Sequence, residues 1–191
     1  MAARNVPWIS PDEFLDQEER SATKHCFYAG TVTAMAGGSP GHAFLAANLI
    51  RDLGVALRGR GCRVTGSDLL FQTARKEMYV YPDVMVICGP VATMEGRPNV
   101  VTNPIFVAEV LSPSTEGDDR GAKSQQYRAT PSIRQYALLS QREALVEIHT
   151  RGEDGKWWIG EVSGLDAECV ISSLDCSLPM ASLYEGVLPR E

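Results

Sequence analysis

Tyr81-Pro82-Asp83-Val84-Met85-Val86-Ile87-Cys88 and, sixteen residues on, Pro104-Ile105-Phe106-Val107-Ala108-Glu109-Val110-Leu111 decide how this chain reads. Both are near-continuous apolar runs of strand length, as expected of strands covered on both faces. Each carries one carboxylate, and Asp119 and Lys123 follow beyond the polar loop Ser112-Pro113-Ser114-Thr115. Two acids on separate strands with a lysine close behind are the minimum for metal-assisted phosphodiester hydrolysis. Carboxylate oxygens suit Mg²⁺, which binds through one or two of them plus substrate phosphate. Metal and lysine together polarise the phosphate and lower the pKa of an attacking water.

The acids differ in how strongly they ask for a role. Asp83 follows Pro82, which lacks an N–H and belongs at a strand start, edge or bulge; taken alone, Asp83 reads as a solvated or turn-capping acid. Glu109 lies inside its strand, with Ile105, Val107 and Leu111 on its own face and Phe106, Ala108 and Val110 on the other. A carboxylate there is costly to bury without a partner, and a structural ion pair is the alternative to a functional role. Lys123 lies four residues after Asp119 and four before Tyr127, so the three share one helix face.

Outward from this centre, the pattern is α/β or α+β, one mixed sheet flanked by helices. Ser10-Pro11-Asp12-Glu13 is a capping box that starts a short helix ending near Glu19. Residues 26 to 36 predict a β-hairpin around Gly30, and Gly37 to Gly41 a turn. A long helix follows to about Arg58, with His42, Leu45, Ala46, Leu49, Leu53 and Ala56 on one face, stopped by Gly59 and Gly61. Strands are expected at Cys62–Thr65, Asp68–Thr73, Tyr79–Cys88 and Pro104–Leu111, with Gly89–Asn103 as a connector. A helix over 118–129, stopped by Pro131, precedes strands at Ile133–Ser140 and Ala144–Thr150. A hairpin at Glu153-Asp154-Gly155 leads into Trp157-Trp158-Ile159, and Leu178, Met180, Leu183 and Tyr184 form a closing apolar cluster.

At 191 residues, 44% hydrophobic and 22% charged, the chain has the size and composition of one ordinary globular domain, 1–191. It has no apolar run near the roughly 20 residues that span a bilayer, and Met1 to Trp8 lacks a signal-peptide core, so a cytoplasmic protein with no membrane partner is expected. Five cysteines without a C-x-x-C pair read as reduced, mostly buried residues rather than a zinc site. A net charge of -6 argues against indiscriminate nucleic-acid binding but leaves room for a local basic patch.

The combination resembles the Uma-two family of restriction-endonuclease-like proteins, within the PD-(D/E)xK nuclease superfamily. The residues that carry it are Lys24-His25, Gly30, Ala34 to His42, Asn48-Leu49, Tyr81-Pro82-Asp83-Val84, Glu109 to Thr115, Asp119-Arg120-Gly121, Lys123, Tyr127 and Pro131-Ser132. The likeness runs from about residue 10 to 188. It implies a restriction-endonuclease-like core with an N-terminal hairpin and C-terminal strands, a Mg²⁺ or Mn²⁺ cofactor held by Asp83, Glu109 and the Val110 carbonyl, and a DNA substrate. The superfamily lysine two residues after the second acid is replaced by Leu111, and Lys123 is the candidate to serve from the following helix. His42, Asp119 and Tyr127 are supporting candidates, with His42 and Tyr127 also readable as core residues. The family's Lys-His-Glu-Tyr appears here as Lys24-His25-Cys26-Phe27, and its Asp-Gly-Glu turn as Ala29-Gly30-Thr31. The implied activity is endonucleolytic hydrolysis of DNA phosphodiesters; the alternative is a nuclease-like binding or interaction module that no longer cuts. Cleavage of both strands of a duplex is compatible with a homodimer.

Overall fold

A computed structural model describes residues 8–35 and 37–188; the reading of the segment before Trp8 lies outside them. Helix α1 (Pro11–Glu18) opens with the expected capping box: Ser10 Oγ accepts from Glu13 N at 3.3 Å, and Glu13 Oε2 accepts from Ser10 N at 2.8 Å. Strands β1 (His25–Tyr28) and β2 (Thr31–Ala34) form the predicted hairpin. Its two turn residues, Ala29 and Gly30, have φ of 46° and 90°, the left-handed pair that a tight hairpin requires. Helix α2 (Pro40–Ala56) is capped by Ser39, whose Oγ accepts from His42 N at 3.1 Å. Leu45, Leu49 and Leu53 are its buried stripe, as the spacing predicts.

The remaining strands are β3 (Cys62–Thr65), β4 (Leu70–Gln72), β5 (Met78–Val80), β6 (Val84–Cys88), β7 (Thr93–Met94), β8 (Arg97–Val101), β9 (Phe106–Leu111), β10 (Gln135–Ser140), β11 (Leu145–Arg151), β12 (Trp157–Ser163), β13 (Glu168–Ile171) and β14 (Cys176–Pro179). Between β9 and β10, Glu116–Asp118, Asp119–Lys123 and Ser124–Ala129 follow without a break as one helix, α3, whose middle turn is π. Thr130, ahead of Pro131, is extended at ψ 117°, and there the helix stops.

The class is α+β with mixed sheets, as expected, but the single sheet is in fact two. One has the order β12-β11-β10-β9-β6-β3 and the other β2-β1-β5-β4-β8-β7, with β13-β14 as a separate ribbon. The reason lies at Tyr81-Pro82-Asp83, read as the interior of one strand from Tyr79 to Cys88. Pro82 cannot donate to a ladder, so the run divides: Met78–Val80 joins one sheet and Val84–Cys88 the other. The supposed connector Gly89–Asn103 also departs from expectation, forming the hairpin β7–β8 with Gly96 at φ 73°.

β6 and β9 pair antiparallel, and β9 pairs β10 in parallel, at the centre of the first sheet. One face packs Phe106, Ala108 and Val110 against α2 and the C-terminal cluster Leu178, Met180, Leu183 and Tyr184. The other packs Val107, Leu111 and Leu138 against Tyr127 of α3 and against Phe71, Met78 and Val80 of the second sheet. Glu109 belongs to this second layer, where α3 meets the sheet. Helix α1 covers the far side through Phe14 and Leu15.

The expectation of reduced cysteines is corrected in one pair. The β3–β6 register sets Cys62 opposite Cys88, and the two are joined as a disulfide; the sequence offers no spacing cue for a bridge across 26 residues. Cys26, Cys169 and Cys176 are free, and Cys169 is buried. Among the described residues, no helix is long and apolar enough to cross a membrane.

Candidate active site

The break at Pro82 builds the site. Continuing the β6–β9 register from Val84↔Ala108 would set Pro82 opposite Val110. Pro82 has no N–H to offer the Val110 carbonyl, and the Val110 N–H is taken by a side chain instead: it donates to Asp83 Oδ2 at 2.8 Å. Asp83 is thereby turned from a strand position into a loop acid lying across the end of β9. Its own N–H points to Glu109 Oε2 at 3.4 Å. Two acids distant in sequence thus sit side by side, with a main-chain carbonyl beside them lacking its usual donor.

Glu109 is 2% exposed, and its Oε1 accepts two hydrogen bonds, from Tyr127 Oη at 2.6 Å and Lys123 Nζ at 3.2 Å. Both donors come from α3. Lys123 Nζ also lies 2.7 Å from Asp119 Oδ1, as an ion pair outside hydrogen-bond alignment. Asp119 is held in turn from β10, where the Tyr136 hydroxyl donates to its carbonyl at 2.5 Å. The π turn spans Asp119–Lys123, so the two charged residues of α3 that reach the site bracket the irregular turn. Such turns recur at functional positions. On the open side, His42 Nε2 lies 3.1 Å from Asp83 Oδ2, carried there by the first turn of α2. His42 therefore joins the site rather than the core, and Tyr127 serves both: buried in the apolar layer, with its hydroxyl on Glu109.

Asp83, Glu109, Asp119, Lys123, Tyr127, His42 and the Val110 main chain all converge, as the sequence reading required. Charge does not balance among them: three carboxylates face one lysine and one histidine. Burial, together with the neighbouring Asp83 and Asp119, pushes the Glu109 carboxyl up to about 7, against the pull of Lys123 and the Tyr127 hydrogen bond. Burial opposes the Lys123 charge, but Glu109 and Asp119 outweigh it and hold the ammonium protonated. The Asp83 contact likewise raises His42 against its burial. The pocket is short of positive charge.

Cys26, read from the sequence as standing in place of the family's acid, comes from β1 and packs against the layer that contains Tyr127. Its thiol is raised by burial and lies within the field of Lys123 and Glu109, so it stays a neutral S–H. Glu18 of α1 accepts from Tyr81 Oη at 3.0 Å and from His25 N at 2.8 Å, which anchors the residue two before Asp83. No local spacing announces such a contact between residues 63 apart. His149 sits against Tyr136 and pairs with Glu147, away from the carboxylates. Trp158 is 65% exposed while Trp157 packs partly against the second core layer, as alternation along a strand predicts.

Comparison with known proteins now identifies the lineage. The family model Uma2, described as "Putative restriction endonuclease", matches residues 11–180. The chain belongs to the Uma2 family. Two uncharacterized proteins of Synechocystis sp. (strain ATCC 27184 / PCC 6803 / Kazusa) are similar along nearly their whole length. One is 34% identical over 181 residues, covering 95% of this chain and 94% of the relative; the other is 36% identical over 172 residues, covering 90% and 97%. The fold is that of a crystal structure at 1.96 Å from Anabaena variabilis ATCC 29413, described as a putative nuclease belonging to DUF820. The match has a TM-score of 0.76 at 15% identity, over 94% of this chain and 99% of that one.

Within this Uma2 chain, Tyr127 offers a test of how Glu109 is held. Tyr127→Phe removes the phenol that fixes Oε1 and leaves the apolar packing intact. Outer-shell partners of this kind contribute about 10–100-fold to metal affinity. If Glu109 is a metal ligand, a loss of that size in a Mn²⁺ titration is expected, with little change in melting temperature; unchanged affinity would make the hydrogen bond incidental.

Proposed function

We propose that this protein is a metal-dependent endonuclease that hydrolyses DNA phosphodiester bonds with Mg²⁺ or Mn²⁺. The observation that carries this reading is the convergence of Asp83 and Glu109 at the end of β9, with Lys123 as the lone lysine among three carboxylates. Among the described residues, no group of three or more His, Cys, Asp or Glu side chains forms a metal cage. The donor set is two carboxylates and the Val110 carbonyl, hard oxygens that leave room for water and phosphate, which fits Mg²⁺. The buried negative surplus that drives Glu109 towards neutrality is what a divalent cation would relieve.

A metal held by Asp83, Glu109 and Val110 would supply Lewis-acid polarisation of the phosphate and a more acidic water. The protein's own groups do the rest. Lys123, kept protonated, presents positive charge where negative charge grows on the phosphorus oxygens, as a preorganised group. Tyr127 and Lys123 hold Glu109 Oε1 so that Oε2 stays turned towards Asp83. His42 fixes Asp83 Oδ2 from the solvent side. In this reading the enzyme acts in the cytoplasm, where its DNA substrate lies, and a homodimer would supply the second site for cutting both strands.

Plasmid and single-stranded DNA incubated with Mg²⁺ or Mn²⁺ test the proposal. Cleavage that stops in EDTA is expected, and cleavage that survives EDTA ends the assignment. A second reading, a binding module that no longer cuts, is favoured by Cys26, a neutral thiol where the family often has an acid. It predicts no saturable heat when millimolar Mn²⁺ is titrated into the wild-type protein.

The raised Glu109 also sets a pH dependence. A carboxyl at about 7 in the fold, against an ordinary 4.5, holds more protons folded than unfolded between those values. Its contribution to stability is therefore present below 4.5 and lost as pH rises towards 7, by at most about 3 kcal/mol. A divalent cation held by Glu109 would take the place of that proton. The rise in melting temperature on adding Mn²⁺ to EDTA-treated protein should accordingly be larger at pH 8 than at pH 5.5. An equal or reversed effect would remove Glu109 from the metal site.

A further inference from the structure

The wall of the site formed by β1 ends in a lysine that the chemistry above does not use. Cys26 packs against the layer that contains Tyr127, and Lys24 lies one step along the same face of that strand, where the pairing continues through the Met35 N–H to the Lys24 carbonyl at 2.9 Å. Lys24 is not a free surface lysine. Its ammonium donates to the Ser67 carbonyl at 2.8 Å and to Asp68 Oδ1 at 2.5 Å, and it lies 5.5 Å from the centre of the Tyr81 ring. The ring is itself pinned by its hydroxyl to Glu18. Three partners therefore hold one cation at a defined point, on the residue immediately before Pro82-Asp83.

The loop on the other side of that cation also borders the main chain of Asp83. A side chain at Gly66 would meet Ile50 Cδ1 at 3.2 Å and the Asp83 carbonyl at 3.8 Å. Ser67 and Asp68 follow directly, so the Lys24–Asp68 pair is carried by a loop that neighbours Asp83 and rests on Tyr81, two residues before that acid. The two partners are unequal in cover: the Asp68 side chain is 88% exposed, and Lys24 is 41% exposed. An exposed pair of this kind is weak and easily screened. What remains when Asp68 leaves is a lysine already oriented by a carbonyl and an aromatic face, with the donor that Asp68 had taken released.

We propose that Lys24 is a positioning residue that binds a phosphate of the DNA next to the one being cut, and that Asp68 occupies that phosphate's place until substrate displaces it. The proposal rests on the nuclease reading and names how its substrate is gripped. It also shows how a chain of net charge -6 presents a local cation to a polyanion without an open basic face. Asp68 is then a competitor for the lysine rather than a stabiliser of the fold.

The test is fluorescence anisotropy of a short labelled duplex in EDTA, across about 50–200 mM salt, where each phosphate contact contributes close to one unit of the log–log slope. Lys24→Ala should weaken binding roughly 5–10-fold and flatten the slope by about 1, with Lys24→Arg restoring both. Asp68→Asn should tighten binding several-fold, and this gain should vanish in the Lys24→Ala background, since it passes through the lysine. A slope unchanged by Lys24→Ala, or an Asp68→Asn gain that persists without Lys24, overturns the inference while leaving the nuclease reading standing. Wild-type protein that binds no duplex in EDTA also overturns the inference, and the nuclease reading then stands or falls on the cleavage assay alone. Melting temperatures of each variant separate loss of contact from loss of fold.

Discussion

Glu109→Gln should abolish metal-dependent cleavage, by roughly three orders of magnitude or more, on the scale of losing a group preorganised for the transition state. The substitution keeps shape and lets the Tyr127 hydroxyl still find an acceptor, so little repacking is asked of the apolar layer. What it removes is the charge that would complete the donor set with Asp83 and the Val110 carbonyl. Stability should move the other way. One of three crowded carboxylates is gone while Lys123 keeps Asp119 at 2.7 Å, so the metal-free melting temperature at pH 8 should hold or rise. Activity sites commonly store instability of this sort. Calorimetric titration with Mn²⁺ should show binding lost in the same variant. Cleavage near the wild-type rate would end the role of Glu109, and with it the site.

Lys123→Ala is expected to be as damaging to cleavage and, unlike Glu109→Gln, damaging to the fold. Glu109 and Asp119 are 2% and 1% exposed, and Lys123 is the lysine paired with both. Removing one partner of a buried pair costs about 3–5 kcal/mol, which for a chain of this size is a fall of roughly 6–20 °C in melting temperature. Glu109 escapes part of the cost by taking a proton, since its carboxyl already lies at about 7. The variant should therefore be closer to wild type at pH 5.5 than at pH 8, and added divalent metal should recover some of the loss at the higher pH. If Lys123→Ala melts like the wild type at pH 8, the lysine is not the counter-charge the geometry makes it, and its part in the reaction falls with it.

The two variants together separate a working site from a decorative ion pair. Both should lose cleavage, but one should gain or keep stability where the other loses it. A buried salt bridge with no further purpose would be destabilised from either side.

Much of the site was legible because its parts are short-range patterns. The alternation in β9 put Glu109 on a buried face, the four-residue spacing aligned Asp119, Lys123 and Tyr127, and Ser10 and the Leu45, Leu49, Leu53 stripe announced the helices. These are properties of the backbone's own periods, 2.0 and 3.6, and need no knowledge of what lies across the fold. Pro82 was legible as an anomaly, but its consequence was not. Whether a proline bends a strand or divides it between two sheets depends on what packs on either side. Here Met78 and Val80 are claimed by one layer's strands and Val84 to Cys88 by another's.

Sequence alone determined that two acids and a lysine of the right kinds lie on elements of the right kinds, and that the chain has the outline of a Uma2 protein. Tertiary structure decided that His42 reaches Asp83, that Cys62 meets Cys88, that Glu18 anchors Tyr81, and that Lys24 is held at the rim by Asp68. The physical reason is separation. Contacts between residues a turn or a strand apart follow from local geometry. Those between residues 26 to 63 apart exist only because layers packed for their apolar faces happen to carry those polar groups to one edge.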